Sequence, residues 1–156
     1  DEPIHAYFDS RLVSQTLTNL IKNAVEAFEG LELTPDWQPT ITVQAQIEGN
    51  HARIAVSDNG KGWPRENRQR LLEPYMTTRE KGTGLGLAIV ARIIEQHGGI
   101  VELIDAEPDA QGRVGACVTF TLPLFPPAKT NEEGEQGNPA AKPEEEEPLL
   151  QAVVHK

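Results

Sequence analysis

One cysteine, one methionine, two tryptophans and two tyrosines are all that this 156-residue chain holds of those types. The lone Cys117 excludes an intrachain disulfide. It sits in an alternating apolar stretch and is expected to be a small core residue. Cys and His nowhere gather at metal-ligand spacing, which argues against a zinc-type site. No apolar run approaches the roughly 18 residues of a membrane-crossing helix, and no secretory leader is visible. Positive charge is also short. The 14 Lys and Arg face 24 Asp and Glu, for a net −10, a poor balance for nucleic acid. The expected location is cytoplasmic. The chain opens on Asp1 without a methionine, so it reads as a piece of a longer protein, and that parent has room for a membrane anchor elsewhere.

Charge is unevenly spread. Residues 126–156 carry 7 acidic and 3 basic residues, five prolines and the run 144–147 of four glutamates. This composition buries too little apolar surface to order itself. The expected division is therefore a folded domain over 1–125 and an acidic, Pro-rich disordered tail over 126–156. The apolar residues of 149–154 either dock on the domain or end solvated. Inside the domain, Lys61, Arg65, Arg68, Arg70, Arg79 and Lys81 face only Glu66, Glu73 and Glu80. Attraction to phosphate is one reading. A solvated face of mixed charge is the other, and it suits Arg65, Arg68 and Arg70.

Periodicity places the elements. Residues 4–9 read as a short strand, and Asp9 or Ser10 as the cap of a helix. Leu12, Val13, Thr16, Leu17, Leu20, Ala24, Val25 and Phe28 recur at helical spacing until Gly30. Two alternating runs, 41–47 and 52–56, flank Gly49-Asn50 as a hairpin. Pro64 opens a short helix through Leu72. Residues 73–83 lack a period and carry Pro and Gly, as lid loops often do. Another helix spans 85–94 and stops at Gly98-Gly99. A final hairpin uses 101–106 and 114–122. The expected fold is an α/β sandwich: a mostly antiparallel mixed sheet with three helices on one face.

The densest chemical signal is Gly82-Thr83-Gly84-Leu85-Gly86, running straight into that second long helix. Glycines tolerate positive φ and let backbone N–H groups approach a ligand. A helix start adds unpaired N–H groups and the positive end of a dipole. Together they can cradle phosphate, although the run alone is weak. Upstream lie Asn19-Leu20-Ile21-Lys22-Asn23-Ala24-Val25-Glu26-Ala27 and Asp58-Asn59-Gly60-Lys61-Gly62. Asn19 and Asn23 are four apart, so they share a helix face. A bare amide there either bonds a neighbouring loop or serves a ligand. Asp58 either forms the Asp-Asn-Gly turn or accepts a hydrogen bond from a ligand.

These segments, in this order over about residues 4–124, resemble the ATP-binding catalytic domain of sensor histidine kinases. That domain belongs to the wider group shared with gyrase, a heat-shock chaperone and MutL. Residues 19–27 resemble the family's N box, 58–62 its G1 box, 72–78 (Leu-Glu-Pro-Tyr-Met-Thr-Thr) its F box, and 82–86 its G2 box. The wording is most similar to nitrogen-regulation-type kinases. The resemblance implies the Bergerat-type fold, with ATP and Mg²⁺ as ligands. It implies that Asn23 gives its amide oxygen to Mg²⁺ and that Asp58 selects adenine. Gly60 and Gly62 would pass close to the base. Gly82, Gly84 and Gly86, with Thr83 and Leu85 in the same run, would hold the phosphates. Tyr75, where the family has Phe, would serve as a lid hinge or packing residue, with simple loop anchoring as the alternative. The loop itself has few apolar anchors and is expected to be mobile without nucleotide.

Two departures matter. The ATPases of the wider group carry a glutamate base where this chain has Asn19, and an amide cannot take a proton from water. Glu26 stands where many histidine kinases place a cation for the γ-phosphate, so Lys22, Arg79 or Lys81 would substitute. None of His5, His51, His97 and His155 has the helical His-acid context of a phosphoacceptor, and His97 reads as a helix-end cap. The implied function is γ-phosphoryl donation from Mg-ATP to a histidine on a separate dimerisation domain. From there the phosphate passes to the receiver domain of a response regulator. The implied assembly is a monomeric piece of a homodimeric parent. Two alternatives remain open: a serine kinase of the same fold, and a nucleotide-gated interaction module.

Overall fold

A computed structural model describes residues 3–32, 34–77 and 82–125. The tail, Arg79 and Lys81 lie outside them. Helix α1 spans Ser10–Glu26. Its N-cap is Asp9, whose Oδ1 accepts from the backbone N–H groups of Arg11 at 2.9 Å and Leu12 at 3.2 Å. Val13, Thr16, Leu20 and Ala24 form its buried stripe, at the spacing of one helix face. Gly30, at φ +72°, ends the turns that follow.

Strands β1 (Ile41–Glu48) and β2 (His51–Asp58) form the expected hairpin, with Glu48 opposite His51. Every second residue of β2 is buried, and Asp58 is the last of that set. A 3₁₀ turn over Arg68–Leu72 and helix α2 (Gly86–Gln96) lead into β3 (Val101–Asp105) and β4 (Ala116–Pro123). The sheet order is β1-β2-β4-β3. The core lies between the sheet and the two α-helices, around Leu20, Val90, Ile94 and Phe120. Cys117 is buried on β4.

Three details differ from the sequence reading. Every strand pairing among the described residues is antiparallel, not mixed. Residues 4–9 run extended but join the sheet by one backbone bond, Tyr7 N–H to the Pro123 carbonyl at 2.7 Å, too little for a ladder. The helix expected from Pro64 shrinks to the 3₁₀ turn. Asn67 before it is left-handed, at φ 56°. Arg68 then reaches down to Asp105 at 2.6 Å, a tertiary pull that helical periodicity does not carry.

His97 closes α2 and ties it to α1. Its Nε2 accepts from the Asp9 N–H at 3.0 Å, and its Nδ1 lies 2.7 Å from the Ile93 carbonyl. Both bonds are made at once by the neutral Nδ1–H tautomer. Asp9 therefore holds two ends together. The Leu12 N–H, then that of Arg11, draws its carboxyl below the usual 3.8 against opposing desolvation. A depressed carboxyl stabilises the fold above its unfolded value and loses that contribution as pH falls through its folded value. Asp9→Ala should therefore lower the thermal midpoint by a few degrees at pH 7. The gap should close below about pH 3.8. A calorimetric midpoint series against pH checks it, and a gap that persists unchanged into acid would refute it.

Candidate nucleotide site

An open cavity of about 1060 Å³ lies between α1, the end of β2, the 3₁₀ turn and the start of α2. That exceeds the roughly 300–1,000 Å³ of typical ligand pockets. Asn19 and Asn23 enter from α1, one turn apart. Asp58 and Gly62 enter from the end of β2 and its loop. Gly82, Thr83, Gly84, Leu85 and Gly86 form the opposite wall, and Lys22 and Glu26 stand on its α1 side. Gly86 faces Asn23 directly: a Cβ on Gly86 would lie 3.7 Å from both terminal atoms of the amide.

Asp58 is 7% exposed. Its Oδ1 accepts from the Gly60 N–H at 2.9 Å and, at 3.5 Å, from the Ala116 N–H. These bonds fix the carboxylate at the cavity floor. Gly115 makes the approach possible, since a Cβ there would collide with the Asp58 carbonyl. The neighbouring Cys117 thiol is pushed above its usual range by burial. The Asp58 charge adds to that shift, while Arg53 opposes it. The thiol therefore stays protonated and plays no nucleophilic part.

Asn19 presents a different feature. Its Nδ2 is buried and has no hydrogen-bond partner, which normally costs on the order of 1–3 kcal/mol. An orphaned donor on a cavity wall is matched by a ligand that brings an acceptor. Across the cavity, Tyr75 adopts a left-handed φ of 64°. Its N–H donates to the Gly84 carbonyl at 2.9 Å. Gly84, at φ +65°, must be glycine, because a Cβ would sit 2.5 Å from the Tyr75 carbonyl carbon. The two ends of the lid segment are thus clasped.

Not every expected residue lies on this wall. Tyr75 is 77% exposed and points away from it. Gly60 lines a smaller depression behind the loop, near Trp37 and Arg113. Arg79 lies outside the described residues. Lys22 is 3.9 Å from Glu26, so the α1 cation is drawn to the very carboxylate that interrupts the positive wall. Arg68 and Arg70 are held in ion pairs with Asp105 and Glu73.

Sequence reasoning missed other contributors. Asn59 receives the Thr40 N–H at 2.8 Å and donates to the Gln38 carbonyl at 2.9 Å, which steadies the loop beside Asp58. Val56, Leu71, Met76, Leu87 and Val118 supply apolar wall. Val56 was within reach, being two residues before Asp58 on an alternating strand. Trp63 was not missed: following the 58–62 segment, it reads from the sequence as packing near a ligand or a partner domain. It lines the cavity with its indole N–H bonded to the Ile104 carbonyl at 2.7 Å.

The arrangement suits a nucleotide with a hard divalent cation. It offers a buried carboxylate for a base amine, backbone N–H groups at a glycine run and helix start for phosphates, and a neutral amide oxygen for the metal. Comparison with known proteins bears on the nucleotide. Residues 8–126 match the family model described as "Histidine kinase-, DNA gyrase B-, and HSP90-like ATPase". The nitrogen regulation protein NtrY of Azorhizobium caulinodans is 56% identical over 117 residues, covering 75% of this chain and 15% of that protein. The mycobacterial sensor histidine kinase MprB superposes with a TM-score of 0.63 at 28% identity, over 76% of each chain. Full-length ShkA in complex with AMPPNP gives 0.57 at 31% identity, covering 72% of this chain and 21% of that one. The chain thus spans about a seventh of the length of NtrY.

Proposed function

Because the chain belongs to the histidine kinase-, DNA gyrase B- and HSP90-like ATPase family, we propose that it binds Mg-ATP and donates the γ-phosphoryl group to a histidine. That histidine sits on a separate dimerisation domain of a two-component sensor kinase. The phosphate then moves to an aspartate on a response-regulator receiver domain. The observation that carries this reading is the convergence of Asn23, Asp58 and the 82–86 run on one cavity. The AMPPNP named in the ShkA complex supports the choice of ligand.

The residues divide the work. Asp58 accepts a hydrogen bond from the exocyclic amine of adenine, its own geometry set by the Gly60 N–H. Backbone N–H groups of Gly82, Gly84 and Gly86 bind phosphate oxygens. The Asn23 amide oxygen would hold Mg²⁺, whose contribution is to neutralise phosphate charge. Among the described residues, Lys22 and Lys61 are cations on the cavity wall, with Arg79 and Lys81 further candidates by sequence, and Lys22 must leave Glu26 to reach the γ-phosphate. An exposed pair of that length is worth under about 1 kcal/mol, so the exchange costs little. In the transfer, the bond from the γ-phosphorus to the bridging oxygen breaks, ADP leaves, and a histidine nitrogen takes the phosphoryl group. Catalysis here is positioning and charge neutralisation.

Asn19 offers no base to activate water for attack on the γ-phosphate. Losing a general base typically costs roughly 10²–10⁴-fold in rate. Incubated alone with γ-labelled ATP, the chain should release phosphate at background rate and stay unlabelled. Adding a dimerisation domain with its histidine should place an acid-labile, alkali-stable label on that domain. Robust phosphate release by the isolated chain would move it to the ATPases, and an acid-stable label on an acceptor would make it a serine kinase.

A further inference from the structure

The flank of α1 turned away from the nucleotide is apolar and open. Asn19 and Asn23 face the start of α2. The helix lies over β1 and β2, so its opposite flank overlooks the free edge of β1. Helical geometry places Ile21 and Val25 there, four residues apart. Ile21 is 40% exposed and Val25 55%. On β1, residues 43, 45 and 47 share the sheet face that carries the core. Ala45 is buried, yet Val43 is 42% exposed and Ile47 60%. The helix layer covers this strand only in part. Ile21, Val25, Val43 and Ile47 thus form one strip along an eight-residue edge strand, about 25 Å in length.

We infer that residues 149–154 of this same chain dock on that strip. Three observations select them. The chain leaves the sheet at the right place: the Leu124 N–H donates to the Asn50 carbonyl at 3.0 Å, in the turn next to Ile47. The reach is right. A random coil as long as the intervening residues 126–148 would span about 25 Å root mean square, the length of the strip itself. The chemistry is right. Leu149, Leu150, Val153 and Val154 are the only Leu, Ile, Val, Met or aromatic residues after Phe125. In sequence they come after the four glutamates of 144–147 and Pro148. A linker of this length holds the segment at an effective concentration on the order of millimolar. A contact too weak to join separate molecules is therefore populated within one.

The test is methyl NMR on the full chain, comparing the unmodified protein with the double variant Leu150→Asp, Val153→Asp. The methyl signals of Ile21, Val25, Val43 and Ile47 should shift, while those of Val90 and Ile94 in the core stay put. In the reciprocal variant Ile47→Asp, at a position that is 60% exposed, the amides of 149–154 should show slower transverse relaxation and move to random-coil shifts. Unmoved strip methyls in the tail variant, or tail amides unchanged in Ile47→Asp, would overturn the assignment. Strip shifts that fade on tenfold dilution, with a dimer in sedimentation, would overturn it in favour of a second copy.

Discussion

Replacing Asp58 with alanine is expected to weaken ADP binding by about 10–150-fold. A hydrogen bond to a charged acceptor contributes roughly 1.5–3 kcal/mol. Alanine also frees the Gly60 N–H, which Asp58 holds at 2.9 Å, so the loop that meets the base loses its anchor. Asp58→Asn separates the two effects. It keeps an oxygen for Gly60 and a similar shape, so the loop should stay in place while the charge is lost. Titration calorimetry with ADP and GDP gives the readout. The alanine variant should lose its preference for ADP, and its weak GDP affinity should be unaltered. Equal ADP affinity in both proteins would remove Asp58 from base recognition.

Asn23→Ala should act on the metal and leave the base alone. With the cation chelated, ADP should bind the variant within about threefold of the unmodified protein. With Mg²⁺ present, the added affinity should vanish, and transfer to the dimerisation domain should fall by about 10²-fold or more. Even outer-shell partners of a metal cost 10–100-fold when lost. Alanine is the better helix former, so α1 should survive and the thermal midpoint should not drop. An unchanged Mg²⁺ increment would take the cation away from Asn23.

Much of this was readable in the chain because it depends on local rules. Asp9 caps α1 by bonding N–H groups two and three residues on. Val13, Thr16, Leu20 and Ala24 mark the buried stripe by spacing alone. The alternation of Ala52, Ile54 and Val56 fixes which way Asp58 points, since a strand residue keeps the parity of its neighbours. What escaped depends on distant partners. Within the 3₁₀ turn Arg68 bonds Asp105 on β3, a partner that local sequence does not reveal. Residues 4–9 read as a strand from composition, but pairing needs an available edge, and only Tyr7 finds one. Asn59 resembles any turn asparagine until Gln38 and Thr40 come beside it. Tyr75 carries no mark of its left-handed backbone, which the clasp with Gly84 imposes.

That clasp has a consequence for how the protein can change. The segment between Tyr75 and Gly84 begins and ends at one point, joined by a backbone hydrogen bond that needs no particular side chain at Tyr75. Its length is therefore uncoupled from the cavity floor. Doubling a flexible loop adds only about 0.6 kcal/mol of closure entropy. Insertions, deletions and whole transplants from a relative can be absorbed there while Asn23, Asp58 and the start of α2 keep their places. The clasp lets this stretch change in length on an otherwise fixed frame, while Gly82 and Thr83, which line the cavity, keep their identity.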